Sequence, residues 1–417
     1  MIGKTGNDAG RLAILGGTPV VQTKKWPDWP YVDQKMVDAV IKTTKSGIWS
    51  RIQDEHGAVA TFEKNYADLM GAKRCVTTGS GTQALSCVVE AMGIGAGDEV
   101  ITSPYTDMGT ISSILTSRAL PVMADIDPES FQIDPADVER KITPNTKAIM
   151  PVDMGGQPCN LSRIRALARK HNLKFIEDSC QGHLGVFQGK KLGNLGDAGC
   201  FSFQTSKTIA CGEGGAVIGS DETLMDRVFS VMMNGSHKII GTKYRMTEFE
   251  AALLQSQLAG AQERFEIRNR NAAYLTSKLK KFPGLVPQKL YPGTESGSFY
   301  LYMMAYKKEH FNGADRNKFL KAMAAEGIEL SSYIARGINR EPWTEFILNQ
   351  DVYKKMFPPE RLKKYRDELH LPVCDKVCEE MAMIWASGPL LGSLADMDDI
   401  INAIMKVYDN RDKLNSI

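Results

Sequence analysis

IEDSCQGHLG at residues 176–185 and GDAGCFSFQTSKTIACGEGGAVIGSD at residues 196–221 are the stretches on which the fold turns. One apolar run ends in Glu177 and Asp178. A second ends in Ser202, with Lys207 following it before the glycines Gly212, Gly214 and Gly215. Short apolar runs bounded by turn residues read as buried strands, with the polar residues at their ends. Taken singly, each feature has an ordinary reading: the aspartate a cap or turn residue, the lysine a solvated one, the GEGG run a hairpin turn. Together and in this order they suit a lysine held as an imine and not as a surface ammonium.

A lysine that carries pyridoxal phosphate needs a carboxylate elsewhere, because only the protonated pyridine ring draws electrons well from the carbon being deprotonated. Asp178, just past a predicted strand over 173–176, is the candidate. Gln181 stands where it reaches the ring hydroxyl, and Ser202 where it donates to the phosphate. Upstream, GAKRCVTTGSGTQALSCVVEAMGI predicts a strand over 75–78, a glycine turn over 79–81 and a helix over 82–91. A helix that starts straight after such a turn offers free N–H groups and a positive dipole end, so Gly81 and Thr82 join Ser202 around a phosphate. No Gly-Lys-Ser/Thr follows the turn, which disfavours a nucleoside triphosphate.

Around these stretches strands and helices alternate. Strands are predicted in 99–106, 120–126, 146–152 and 173–178, with helices over 135–141 and 161–171. The pattern predicts an α/β fold, a mostly parallel sheet sandwiched by helices, whose ligands gather at the carboxyl ends of the strands. Thr77, Pro104, Asp178 and Ser202 all fall near such ends. Further helices are expected over 33–45, 59–70 and 222–233, and one long helix over 247–281, closed by Phe282-Pro283-Gly284. A smaller α+β region follows, with a helix over 314–325, an extended piece over 328–334 and a last helix over 396–407. This divides the chain into an arm (1–30), a large cofactor-binding domain (31–260) and a smaller C-terminal domain (261–417).

EDSCQGHLG, FSFQTSK, GEGGAV and YRMTEFEAALLQSQL resemble the DegT/DnrJ/StrS family of fold-type I, pyridoxal-phosphate-dependent aminotransferases, which aminate keto-sugars and keto-cyclitols. The likeness runs from about Leu12 to the C-terminal helix. It implies that Lys207 is both covalent anchor and general acid/base, and that the active site lies at the interface of a homodimer. It also implies two small-molecule partners, an amino donor (glutamine or glutamate) and a ketone acceptor. LAILGGTPV, WPDWP and DMDDIINAIMKV look more like the cyclitol branch, in which glutamine aminates scyllo-inosose or its 2-deoxy form. Relatives with dehydratase chemistry have His at the lysine position, so Lys207 argues against that rival. The other rival is a non-catalytic sensor or scaffold that has kept the fold.

Two departures from the family pattern stand out. Where relatives carry an aromatic ring that stacks on the cofactor, PYTDMGT has Asp107. Either Tyr105 or Met108 then covers the ring, or the pocket is rebuilt with Asp107 facing a hydroxyl or amine of the substrate, or Asp107 caps the helix that begins near Met108. Where relatives have Gly-x-Asn-Tyr-Arg, whose Asn reaches the phosphate of the neighbouring subunit's cofactor, this chain has Lys243 in GTKYR. Arg245 beside it is expected to bind the donor's carboxylate or to pair with Glu248. The loop ahead of it is shorter than in relatives, which argues against a sugar-nucleotide diphosphate contact.

Composition narrows the remaining classes. A net charge of +2, with both signs mixed along 417 residues, points to neither nucleic acid nor a membrane surface. No apolar run approaches the roughly eighteen residues of a spanning helix, so a cytoplasmic protein is expected. The eight cysteines sit mostly inside apolar runs and are expected as buried free thiols. Cys374 and Cys378 have no Cys or His cluster to complete a zinc site, and no metal is expected.

Overall fold

The computed structural model describes residues 10–23, 26–236, 239–385 and 388–417. The start of the predicted arm, together with Lys24 and Lys25, lies outside the described residues.

Seven strands make the central sheet: β1 (Arg74–Thr78), β2 (Glu99–Thr102), β3 (Leu120–Met123), β4 (Thr146–Met150), β5 (Lys174–Asp178), β6 (Ala198–Ser202) and β7 (Gly215–Gly219). Their order is β1-β7-β6-β5-β4-β2-β3. The pairs from β6 across to β3 are parallel, and β7 runs antiparallel to both its neighbours. Every residue of β2, β3, β6 and β7 is buried, as a sheet covered on both faces requires.

The covering helices are α1 (Gln34–Ser46), α2 (Ala58–Met70), α3 (Gly81–Ala91), α4 (Met108–Thr116), α5 (Pro135–Lys141), α6 (Leu161–Lys170) and α7 (Glu222–Met233). Asp33, Ser80, Asp107, Asp134, Asn160 and Asp221 each accept a backbone N–H from the first turn of their own helix, which fixes where α1 and α3 to α7 begin. On one face Val88 and Val89 of α3 and Met225 and Val228 of α7 pack with Val76, Ile176, Cys200 and Val217. On the other, Val138 of α5 and Ile164 and Leu167 of α6 pack with Ile101, Val122, Ile149 and Phe175. These two layers orient the strands so that β5 and β6 end side by side at one edge of the core.

The long helix expected over 247–281 is two helices, α8 (Glu248–Leu258) and α9 (Ala261–Leu279), interrupted at Gly260. Glycine is a poor helix interior residue, and here it lets each half take its own partner. Ala251 and Leu254 of α8 pack on Val59 and Phe62 of α2, whereas Ala272 and Leu275 of α9 join the C-terminal core. That core surrounds an antiparallel sheet of β8 (Leu285–Pro287), β9 (Leu301–Tyr306) and β10 (Met381–Trp385). It also takes α10 (Arg316–Ala325). Residues 328–334 form no strand; Ser331 alone pairs with Met383 of β10.

The sequence reading also missed four helices, α11 (Trp343–Asn349), α12 (Asp351–Met356), α13 (Pro359–Glu368) and α14 (Pro372–Glu380), which precede the last helix, α15 (Leu394–Asp409). α11 to α13 close the open side of edge strand β3. Ile347, Leu348, Tyr353 and Tyr365 pack on Leu120, and the Tyr365 hydroxyl donates to the Pro121 carbonyl at 2.8 Å. A proline is tolerated on an edge strand because no ladder N–H is lost there. The buried Glu99 of β2 accepts from Arg361 of α13 at 2.5 Å. All eight cysteines are free, six of them buried. Among the described residues no helix is long and apolar enough to cross a membrane.

Candidate active site

Lys207 stands on the connection from β6 to β7. The two strands keep pairing beyond their ends: Phe203 N–H donates to the Gly214 carbonyl at 2.8 Å and Thr205 N–H to Gly212 at 2.9 Å. Lys207 N–H then closes a turn onto Gln204 O at 2.8 Å. Gly212 has φ +102°, which a side chain rarely adopts, so the return of the chain depends on a glycine there.

Neighbouring residues of a strand face opposite ways, and the Glu177-Asp178 pair at the end of β5 is divided accordingly. Glu177 turns down and accepts the N–H groups of Gly193, Leu195 and Gly196 at 3.0, 2.6 and 2.6 Å. Asp178 faces the cavity that holds Lys207. Its Oδ2 accepts from the Thr110 hydroxyl at 2.7 Å, and its Oδ1 from Cys180 N–H at 3.3 Å. Burial pushes the Asp178 carboxyl up from the ordinary range, while Thr110, Cys180 and the charge of Lys207 pull it back.

Lys207 and Asp178 line one cavity of about 400 Å³ with Gly81, Thr82, Ser202 and Gln181. Ser80 caps α3 by accepting Gln83 N–H, which places the first N–H groups of the helix at the cavity. A Cβ on Gly81 would lie 2.7 Å from Cβ of Ser202, so only glycine lets the helix start come this close to the end of β6. Gln181 is held at both ends of its amide: Oε1 accepts from Gly155 N–H at 2.8 Å and Nε2 donates to the Tyr333 hydroxyl at 3.0 Å. Thr77 and Pro104, expected near the same strand ends, do not line the cavity. The Thr77 N–H and hydroxyl both go to Glu63, and the Pro104 carbonyl accepts Ile338 N–H.

Three further side chains shape the site without a signal in the sequence reading. His183 is buried beneath Ser202 and donates from Nε2 to the Ser202 carbonyl at 2.9 Å. A carbonyl only accepts, so the proton is on Nε2, and Nδ1 accepts from the Tyr66 hydroxyl at 2.8 Å. Burial pushes the imidazole down to about 3, which keeps it neutral. Tyr300, the residue before β9, lies with its ring centroid 4.2 Å from the Lys207 Nζ, and its hydroxyl shares a 2.8 Å hydrogen bond with Ser206. Tyr333 stands edge-on to it, the centroids 6.2 Å apart, with Trp385 of β10 against both rings. The adjacency of Ser206 to Lys207 is the one sequence clue that a hydroxyl partner would be found there.

The aromatic wall is therefore built by Tyr300 and Tyr333. Tyr105, expected as a possible cover, is fully buried in a cluster with Met123, Cys374 and Cys378 and does not line the cavity. The backbone turn at 103–106 sends its side chain into that core. Met108 packs on the same cluster and also lies outside the cavity. Asp107 does line it; its side chain is exposed and accepts Gly109 N–H at 2.8 Å as the cap of α4. Lys243 and Arg245 are absent from the cavity lining of their own chain. Lys243 is exposed with φ +59°. Glu248 pairs with the start of α2, accepting Val59 N–H at 3.2 Å, and not with Arg245.

Residues 30–385 match the DegT/DnrJ/EryC1/StrS aminotransferase family. The chain belongs to that family. It is 33% identical to an L-glutamine:2-deoxy-scyllo-inosose aminotransferase of Streptoalloteichus tenebrarius, over 97% of this chain and 99% of the relative. A second protein of that organism, provisionally named as the L-glutamine:3-amino-2,3-dideoxy-scyllo-inosose aminotransferase, is also 33% identical with the same coverage. Among solved structures, an aminotransferase from Psychrobacter cryohalolentis superposes with TM-score 0.80 at 27% identity, over 92% of this chain and 99% of that one. The synthase of 3-amino-5-hydroxybenzoic acid superposes with TM-score 0.79 at 25% identity, over 92% and 100%.

Aminotransferases of this family depend on pyridoxal 5'-phosphate, and the cavity fits that cofactor. It presents a lysine amine, a buried carboxylate held by two donors, and a helix start brought against a serine hydroxyl at a position where any Cβ would intrude.

Proposed function

We propose that this aminotransferase moves the amino group of glutamine, or of glutamate, onto the ketone of a cyclitol. The observation that carries the reading is the meeting of Lys207 and Asp178 in one cavity of a protein matched nearly end to end by cyclitol aminotransferases. Bound there, the cofactor supplies an electron sink that acidifies the α-carbon of an attached amine. Lys207 anchors it through Nζ and, once released, takes a proton from the donor's α-carbon and returns one on the acceptor's side. Asp178 keeps the ring nitrogen protonated. The N–H groups of Gly81 and Thr82 and the Ser202 hydroxyl hold the phosphate, and the Gln181 amide reaches the ring hydroxyl.

The working unit in this reading is a cytoplasmic homodimer. Lys243 is exposed on a loop whose Tyr244 carbonyl accepts Gly79 N–H at 3.0 Å, and it serves the phosphate of the second copy. Arg245 binds the donor's carboxylate, and Asp107 faces the acceptor.

The test is the absorbance of the purified protein. A yellow band that glutamine discharges and a cyclitol ketone restores, absent in Lys207→Ala, is the expected result. A protein that stays colourless after incubation with pyridoxal phosphate overturns the reading and leaves a scaffold. A band that no amino donor discharges removes transamination from the account.

A further inference from the structure

A threonine inside a helix ordinarily returns its hydroxyl to the backbone carbonyl one turn back. Thr43 and Thr44 of α1 do so, donating to Ala39 and Val40 at 3.0 and 2.9 Å, and Thr61 of α2 donates to Gly57 at 3.0 Å. Thr110 of α4 does not. Its Oγ1 donates instead to Asp178 Oδ2 at 2.7 Å, and it stands 2.7 Å from the hydroxyl of Thr106, one turn back. Thr110 and Thr106 are 2% and 3% exposed, and both line the cavity.

The direction of this chain follows from its protons. An ionised carboxylate only accepts, so the single hydroxyl proton of Thr110 goes to Asp178. Thr110 then accepts from Thr106, and both hydroxyls point the same way, toward the carboxylate. Buried hydrogen bonds in such a chain polarise one another, which strengthens the last of them. Burial pushes the Asp178 carboxyl up, and of the contacts that pull it back the Thr110 hydroxyl is the strongest, ahead of Cys180 and the charge of Lys207. Oδ2 has a second lone pair beside the one that Thr110 uses.

We infer that Thr110, backed by Thr106, is a positioning residue for the reaction: its hydroxyl keeps Asp178 ionised, so that the proton shared with the cofactor's ring nitrogen rests on the ring. The inference deepens the proposed transamination and rests on the place given there to Asp178. Without the hydroxyl the carboxylate becomes the better base. The ring N–H bond then breaks, an O–H bond forms on Asp178, and the ring is left neutral, a form that draws electrons poorly.

The experiment strips the full-length protein of cofactor and measures, by fluorescence titration, its affinity for pyridoxal 5'-phosphate and for the analogue in which a C–H replaces the ring nitrogen. The ratio of the two reads the contact at that nitrogen. The expected preference for the true cofactor is about tenfold or more, the worth of a hydrogen bond between charged groups. Thr110→Val lowers that preference by about threefold or more, Thr110→Ser restores it, and Thr106→Val lowers it by about twofold. Asp178→Asn removes it, and adding Thr110→Val to Asp178→Asn changes nothing further, since the hydroxyl acts through the carboxylate. In the loaded enzyme Thr110→Val lowers kcat with glutamine and leaves KM in place. If Thr110→Val weakens both cofactors equally, or if its loss adds to that of Asp178→Asn, the hydroxyl serves only the fold, and this inference falls while the proposed transamination stands. If the parent protein binds both cofactors alike, the place given to Asp178 falls and takes this inference with it.

Discussion

The cavity has two walls of different origin. One is the cradle made by Gly81, Thr82, Asp178, Ser202 and Lys207; the other is the aromatic wall of Tyr300 and Tyr333, backed by Trp385. The cradle residues sit at strand ends, at a helix start or, for Lys207, on the turn that joins β6 to β7, so the backbone of their own segment aims them. The wall residues are aimed by packing: Tyr300 is held by Ser206 and by two other rings, and Tyr333 lies on an irregular segment tied to β10 by a single bridge. A site can thus have one wall fixed by local structure and another fixed by contacts between distant segments. Substitutions in the two should fail in different ways.

The largest effect is expected in the cradle. Asp178→Asn keeps the shape and removes the charge, and the enzyme should lose about a hundredfold or more in kcat, as loss of a preorganised electrostatic partner typically costs. Stopped-flow absorbance on mixing with glutamine checks it. A loss confined to KM would mean that the carboxylate only positions.

Next comes the support beneath the cradle. His183→Leu strands the Tyr66 hydroxyl and the Ser202 carbonyl in the core, at a cost of about 2–3 kcal/mol in stability, measured by denaturant unfolding. Its pH dependence has a definite sign. The folded imidazole is held down to about 3 by burial, with Lys207 and Arg268 adding smaller pushes the same way. The unfolded chain takes up its proton near 6.5, so this contribution is fully present above pH 6.5 and is lost as pH falls toward 3, by up to about 1.4 kcal/mol per pH unit. His183→Gln should therefore lose less stability between pH 7 and pH 5 than the parent.

The wall gives a smaller response. Tyr300→Leu removes the ring that faces the Lys207 amine and should lower the rate of the glutamine half-reaction by about tenfold, the size of a partly desolvated cation–π contact. Tyr300→Phe keeps the ring and loses only the Ser206 bond, so most of the rate should return. Equal losses in the two variants would show that the hydroxyl, and not the ring face, matters. The smallest effect is Asp107→Ala, which removes the cap of α4 and should cost about 1 kcal/mol in thermal stability.

Reading the chain without coordinates succeeded where a residue's role follows from its own element. The strand that leads to Asp178, the helix that follows the glycine turn over 79–81 and the sharp return of the chain at the glycines after Lys207 could all be placed from runs of apolar residues and glycines. It failed where the answer is a contact. Tyr105 has the right spacing to cover a ring, yet the backbone turns it into a core with Cys374, from far along the chain. The bond from Gln181 to Tyr333 joins segments far apart in the chain and left no mark in the sequence. The helices between Trp343 and Glu380 were passed over because they are short, and their apolar faces make sense only against edge strand β3.

What the amino-acid sequence determined by itself is the mostly parallel α/β frame, the family, and the placing of Lys207 and Asp178 where one cavity receives both. Each of these is written in residues that act through local backbone geometry. The tertiary structure alone decided which aromatic rings enclose the lysine, that a neutral histidine supports the serine, and that Asp107 stands in the cavity with one oxygen free. Those facts depend on side chains from separate elements arriving at one place, and no local pattern encodes that arrival.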